Sequence, residues 1–173
     1  DASDPLLAPK RCAVHFAVDD DNIRMCTWLC GKSSWFLPFD KGANGGAGNP
    51  VNPNGLRTSY LWEDILKKES LSDILENYAQ VVKKKDEKTG KEKIVWPRYH
   101  QLEVVRQLLS ETRAKGVGQR YLIQHSAGSG KSNSITWLAY QLVGLLDGTE
   151  PLMDSVIVVT DRVNLDKQIR DNI

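Results

Sequence analysis

One run of residues constrains the fold more than any other: His125-Ser126-Ala127-Gly128-Ser129-Gly130-Lys131-Ser132, set between a short apolar segment and an amphipathic one. Upstream, residues 121–124 read as a buried strand. Downstream, residues 133–146 read as a helix, with Ile135, Leu138, Ala139, Leu142, Leu145 and Leu146 at helical spacing. A glycine-rich turn between a strand and a helix is the setting of a phosphate cradle. Gly128 and Gly130 let successive backbone N–H groups point inward, and the helix adds its positive end. In that reading Lys131 brings its charge to the β and γ phosphates of ATP and the Ser132 hydroxyl ligates Mg²⁺, while Ser126, Ala127, Gly128, Ser129 and Gly130 form the rest of the cradle. The strict pattern has Gly where His125 stands, so the match misses by one position. The plainer reading, a glycine-rich turn holding Gly-Lys-Ser by accident, is disfavoured by the flanking pattern.

The segments around the loop set the expected fold class, α/β. A helix is expected over 99–114, with Leu102, Val105, Leu109 and Thr112 on one face and Gly116 at its end. The strand at 121–124, the helix at 133–146, the β-branched run SVIVVT at 155–160 and a helix from Arg162 onward complete an alternating order that predicts a partial lobe with a parallel sheet. The N-terminal part reads differently, as a β-rich remnant. Strands at 11–18 and 23–30 flank the turn Asp19-Asp20-Asp21-Asn22, and 34–39 offers a third strand ahead of Pro38. Residues 42–53 form a Gly-rich loop. Helices follow at 59–67 and 70–78, the second with Ser70 and Asp73 spaced as a capping box and Leu71, Ile74, Leu75 and Tyr78 on one face. The run KKKDEKTGKEK at 83–93 has no apolar residue to bury, so a domain boundary is placed there.

Composition narrows the classes. A chain of 173 residues, 40% of them apolar, has material for one domain or for a piece bridging two. Its 23 Lys and Arg against 22 Asp and Glu give no general attraction to nucleic acid, so any DNA contact must be local. The three cysteines, Cys12, Cys26 and Cys30, fit a reducing compartment, no apolar stretch reaches the roughly 18 residues of a membrane span, and the start lacks the pattern of a secretory signal. A cytoplasmic protein with no membrane association is expected.

Trp96-Pro97-Arg98-Tyr99-His100-Gln101 resembles the segment by which superfamily 2 helicases read adenine, which makes Gln101 the candidate reader through its amide. The plain alternative for Gln101 is an exposed residue in the first turn of a helix. Arg98 and Tyr99 are either flanks of the base or packing residues. Asp161 closes an apolar run, as does the carboxylate that holds Mg²⁺ in P-loop enzymes. It is also placed as the N-cap of the next helix, or within a segment facing DNA, where Asp161, Arg162 and Asn164 are candidate contacts. Cys12, His15, Cys26 and Cys30 number enough for zinc, but positions 12 and 15 on one strand face opposite ways, which favours buried thiols. The lysine run at 83–93 carries acids too and reads as a solvated loop.

Taken in order, VHFAVDDDNIRMCTWLCGKSSWFLPF, DKGANGGAGNP, TSYLWEDIL, SDILENYA, PRYHQLEVVRQLL, YLIQHSAGSGKSNSITWLAYQL and DSVIVVTDRVNLDKQI resemble the restriction, or motor, subunit of type I restriction-modification enzymes. The resemblance implies an internal fragment. Residues 1–55 would be the end of a restriction-endonuclease-like domain, 56–93 a helical connector with the charged loop, and 94–173 the opening of a RecA-like motor lobe. It implies that Lys131 and Ser132 bind MgATP, that Gln101 reads adenine, and that Thr160, Asp161 and Arg162 follow the first crossover. It further implies an ATP-dependent type I site-specific deoxyribonuclease, partnered by double-stranded DNA and by methylation and specificity subunits. No Asp with a following Glu-x-Lys cluster stands in the sequence, so the nuclease site and the rest of the ATPase site are expected outside this chain, which alone should be inactive. Rival readings are another superfamily 2 helicase-like ATPase, a P-loop kinase, or a non-catalytic nucleotide-binding module.

Overall fold

In the computed structural model, residues 4–7, 11–82 and 93–161 are described. They fall into two compact units, 1–100 and 101–173. The first begins with the expected hairpin: β1 (His15–Val18) pairs antiparallel with β2 (Ile23–Cys26) in the register His15 to Cys26 and Val18 to Ile23. Asp19 closes the turn, its Oδ1 accepting from the N–H groups of Asp21 (2.8 Å) and Asn22 (2.7 Å). These bonds favour the carboxylate, and Asp19 is held below the usual carboxylate range by the N–H of Asn22 first and that of Asp21 second.

The third strand, β3 (Leu37–Pro38), adds to β2 and includes the proline expected to end it. In the order β1-β2-β3 it is an edge, where a missing N–H breaks no ladder. Alternation along β2 buries Ile23 and Met25 and exposes Arg24. Phe16 and Phe39 meet edge-on at 5.2 Å, Phe39 and Tyr99 at 6.0 Å, and Tyr60 and Tyr99 at 5.2 Å, which joins the hairpin to the start of the later helix within one aromatic core.

The Gly-rich segment is an ordered loop. Asn44 (φ 50°) and Gly45 (φ 76°) turn the chain so that Ala43 and Gly46 bond each other, and Gly42 N–H donates to Gly48 O at 2.8 Å. Asn49, buried, anchors it: Oδ1 accepts from Lys41 N–H, and Nδ2 donates to Asp21 O and Asp40 Oδ1. Asp40 Oδ1 also accepts from Ile23 N–H (2.7 Å), and Thr58 Oγ1 donates to Asp19 O (2.8 Å).

Helices follow, with corrections. The segment at 59–67 forms a π-helical turn, Leu61–Ile65, rather than an α-helix. α1 (Lys68–Asn77) begins two residues before the expected cap, so Ser70 lies inside the helix rather than at its N-cap. Asp73 accepts from Asn77 Nδ2. Ile74 and Tyr78 are buried as expected, whereas Leu75 points outward. β4 (Gln80–Val82) and β5 (Lys93–Val95) pair antiparallel on either side of the charged run, of which 83–92 lie outside the described residues.

α2 (Tyr99–Lys115) matches its expected span. Leu102 and Val105 are buried, Glu111 and Lys115 pair one turn apart, and Gly116 at φ 72° ends the helix with its N–H on Thr112 O. α3 (Lys131–Val143) starts two residues earlier than expected and stops at Gly144. Its most buried side chain is Trp137, off the predicted stripe, and Leu146 lies exposed in a two-residue strand, β6 (Leu146–Asp147), paired with β7 (Glu150–Pro151).

The expected parallel sheet is not formed among the described residues. Residues 121–124 and 155–160 are irregular, and Leu122 (93% exposed), Ile157 (82%) and Val159 (88%) lie open to solvent. An interior parallel strand is covered on both faces and bonded on both edges, and β-propensity alone supplies neither. The sheets observed are antiparallel. No helix among the described residues is long and apolar enough to cross a membrane.

Candidate nucleotide-binding site

The loop from His125 to Ser132 leads from the irregular segment into the N-terminus of α3. Gly128 (φ 73°) and Gly130 (φ 81°) both adopt the left-handed conformation that the cradle reading requires, and the chain turns over 127–129 with Ser129 N–H toward Ser126 O (3.4 Å). Gly130 is the residue before the first turn of α3. Its carbonyl accepts from Asn133 N–H (3.0 Å) and Ser134 N–H (3.4 Å), which aims the start of the helix at the loop.

Lys131 is exposed and folds over the loop. Its Nζ donates to His125 O (3.0 Å) and Ser126 O (2.7 Å), so the ammonium sits against the first two carbonyls of the cradle. Ser132, half-buried, is the next residue on α3, while Ser126, Ala127 and Gly128 are exposed and Ser129 is buried. Two left-handed glycines, a helix N-terminus, a lysine over the loop and a hydroxyl beside it are a donor set suited to a polyphosphate with its divalent cation. A Cβ at Gly128 would meet nothing within 4 Å, so that part of the cradle is open.

Gln101 is only 3% exposed, which rules out the surface-residue reading. Its Nε2 donates to Ser129 O (3.2 Å) and Gly130 O (2.8 Å). The structure therefore brings Gln101 to the loop, although the two are far apart in sequence. Tyr99, by contrast, is 8% exposed and packed edge-on between Phe39 and Tyr60 with the Lys41 ammonium 5.7 Å from its ring, which makes it a packing residue. The partly buried Arg98 guanidinium has its pKa lowered by desolvation. Asp161 is exposed at the end of the described residues, and Arg162 and Asn164 lie outside them.

Residues 100–173 match the sequence profile of the SWI2/SNF2 ATPase family. This part of the chain is similar to helicase-like ATPases. The match begins beside Gln101 and takes in the whole loop at 125–132, while Arg98 and Tyr99 lie just outside it. No curated protein and no solved structure matches the chain.

The expectation of buried thiols holds for Cys26 alone, whose Sγ donates to Trp28 O; Cys12 is half-buried with Sγ donating to Leu6 O, and Cys30 is exposed. The His15 imidazole is shifted toward its neutral form by burial. Asp21 pairs with Arg57 at 3.3 Å beside the turn. Among the described residues no group of three or more His, Cys, Asp or Glu is placed to hold a metal ion. What sequence reading missed is the contact of Gln101 with the loop carbonyls, since a side chain meeting a backbone 28 residues away leaves no periodic trace.

Proposed function

We propose that the C-terminal unit is the ATP-binding part of a DNA-translocating motor, and that the chain comes from the restriction subunit of a type I restriction-modification enzyme. The observation that carries the nucleotide reading is the loop itself: Gly128 and Gly130 in the left-handed conformation, with Lys131 and Ser132 opening α3, inside a segment that matches a helicase-like ATPase family. Lys131 and the loop N–H groups would hold the phosphates of ATP, Ser132 would ligate the accompanying Mg²⁺, and Gln101 would complete the site. The cation neutralises charge on the phosphates when bound. Asp161, Arg162 and Asn164 are proposed to face the DNA backbone.

The restriction role rests on the ordered resemblance of the hairpin, the GAGNP loop and the HSAGSGKS run. Under this reading 1–55 closes a nuclease-like domain, 56–93 connects, and 94–173 opens the RecA-like lobe, in a cytoplasmic assembly with methylation and specificity subunits acting on double-stranded DNA. The second reading is a helicase-like ATPase outside restriction, and the SWI2/SNF2 match favours it equally. Reconstitution separates them. Combined with methylation and specificity subunits, a restriction subunit carrying these residues should show DNA-stimulated phosphate release and plasmid cleavage, both lost in Lys131→Ala. DNA-stimulated ATP turnover without assembly or cleavage would select the second reading.

A further inference from the structure

The Gln101 side chain meets the loop through its nitrogen. Which end of the amide faces the loop is fixed by chemistry: both neighbours are carbonyl oxygens, so an amide oxygen there would repel them. The Nε2 group carries two hydrogens and donates to both Ser129 O and Gly130 O. Reading adenine with both ends of the amide would need that same nitrogen as a donor to the ring. The site is also shaped around the contact. A Cβ built on Gly130 would collide with Gln101 Nε2, so glycine is required at 130 for this approach as well as for φ 81°.

We infer that Gln101 is a positioning residue for the phosphate loop, and that it acts on the polyphosphate of any nucleotide through the backbone of Ser129 and Gly130. Holding two successive carbonyls fixes the peptide planes on either side of Gly130. One of those planes carries the N–H of Lys131, the first residue of α3, and the other carries the N–H of Gly130. With both planes held, the loop presents its donors without first being ordered by the ligand, so affinity for the phosphates rises and base preference does not. The inference rests on the nucleotide reading of the loop and gives Gln101 a role in it other than adenine selection.

The test is calorimetric binding of Mg²⁺ complexes of ATP, GTP and inorganic tripolyphosphate to the full chain, below the melting transition of each variant. Gln101→Ala should weaken all three by about ten-fold, the order expected for lost hydrogen bonds at one site, with the ATP to GTP ratio unchanged. Its cost should be less than additive with that of Lys131→Ala, because both act through one loop, whereas a remote structural role would add. Should Gln101→Ala fail to fold, the near-isosteric Gln101→Glu, which turns an oxygen toward the two carbonyls, should weaken tripolyphosphate more strongly still. Loss confined to ATP, unchanged tripolyphosphate affinity or additive costs would overturn the inference while leaving the loop intact, provided Lys131→Ala still weakens binding about ten-fold or more. A wild-type chain that binds none of the three overturns the nucleotide reading and the inference with it.

Discussion

Residues 1–100 and 101–173 use their polar side chains differently. In the first unit Asn49, Asp40 and Thr58 reach across 17 to 39 residues of chain to satisfy backbone groups of the hairpin and its turn, next to an aromatic core of Phe16, Phe39, Tyr60 and Tyr99. In the second, Gln101 reaches 28 and 29 residues to hold a loop whose other groups, Lys131 and Gly128 among them, stay exposed. One unit closes its loops; the other holds one open. The buried phenol of Tyr60 shows the same contrast. It donates to Phe39 O at 2.9 Å and has its pKa pushed well above the usual range, by burial first and by the nearby Asp40 second, so it serves the core as a neutral donor.

The largest way to break this contrast is through Phe39. Its side chain is fully buried between Phe16 and Tyr99, so Phe39→Ala should lower stability by about 3–5 kcal/mol in chemical denaturation. A loss under 1 kcal/mol would mean the aromatic core is not the one described. Next comes Asn49→Ala, which strips partners from Lys41 N–H and Asp21 O and should cost about 2 kcal/mol by the same measurement. Acid should act more gently. The Asp19 carboxylate is favoured by folding, so its stabilising contribution is complete above its unfolded pKa and fades as pH falls below about 4. Asp19→Asn should therefore flatten the acid limb of a stability profile of wild-type against variant, and an unchanged limb would remove Asp19 as a contributor. The smallest effect should come from Leu122→Ser, within about 0.5 kcal/mol because the residue is 93% exposed. A loss of several kcal/mol would instead place 121–124 in a covered strand.

The elements legible in the sequence are those whose cause is local. The hairpin turn needed only Asp19 and its two following N–H groups, and α2 needed only its apolar spacing and Gly116, so both were readable from a short window. The turn of the loop at 125–132 is readable for the same reason, since Gly128 and Gly130, which adopt positive φ, stand beside Lys131. The parallel strands expected at 121–124 and 155–160 are not formed among the described residues, because β-branched residues such as Ile157 and Val159 state a preference that only a neighbouring strand can fulfil. Pro38 locally signals the end of a strand, because its place at a sheet edge depends on the strand order, which no local pattern gives. Tyr99 and Gln101 lie two residues apart, yet one is core and the other touches the loop, a division set by tertiary packing.

The central claim is that the loop at 125–132 binds the phosphates of ATP through Lys131. Isothermal titration of MgATP into the wild-type chain, Lys131→Ala and Asp161→Ala tests it most directly. Removing a charge aligned on the phosphates should cost roughly 1.5–3 kcal/mol, about a ten- to hundred-fold loss of affinity, while Asp161→Ala should change the affinity far less. Equal losses from the two variants would shift the site toward a kinase-like arrangement, and MgATP bound with unaltered affinity by Lys131→Ala would contradict the account.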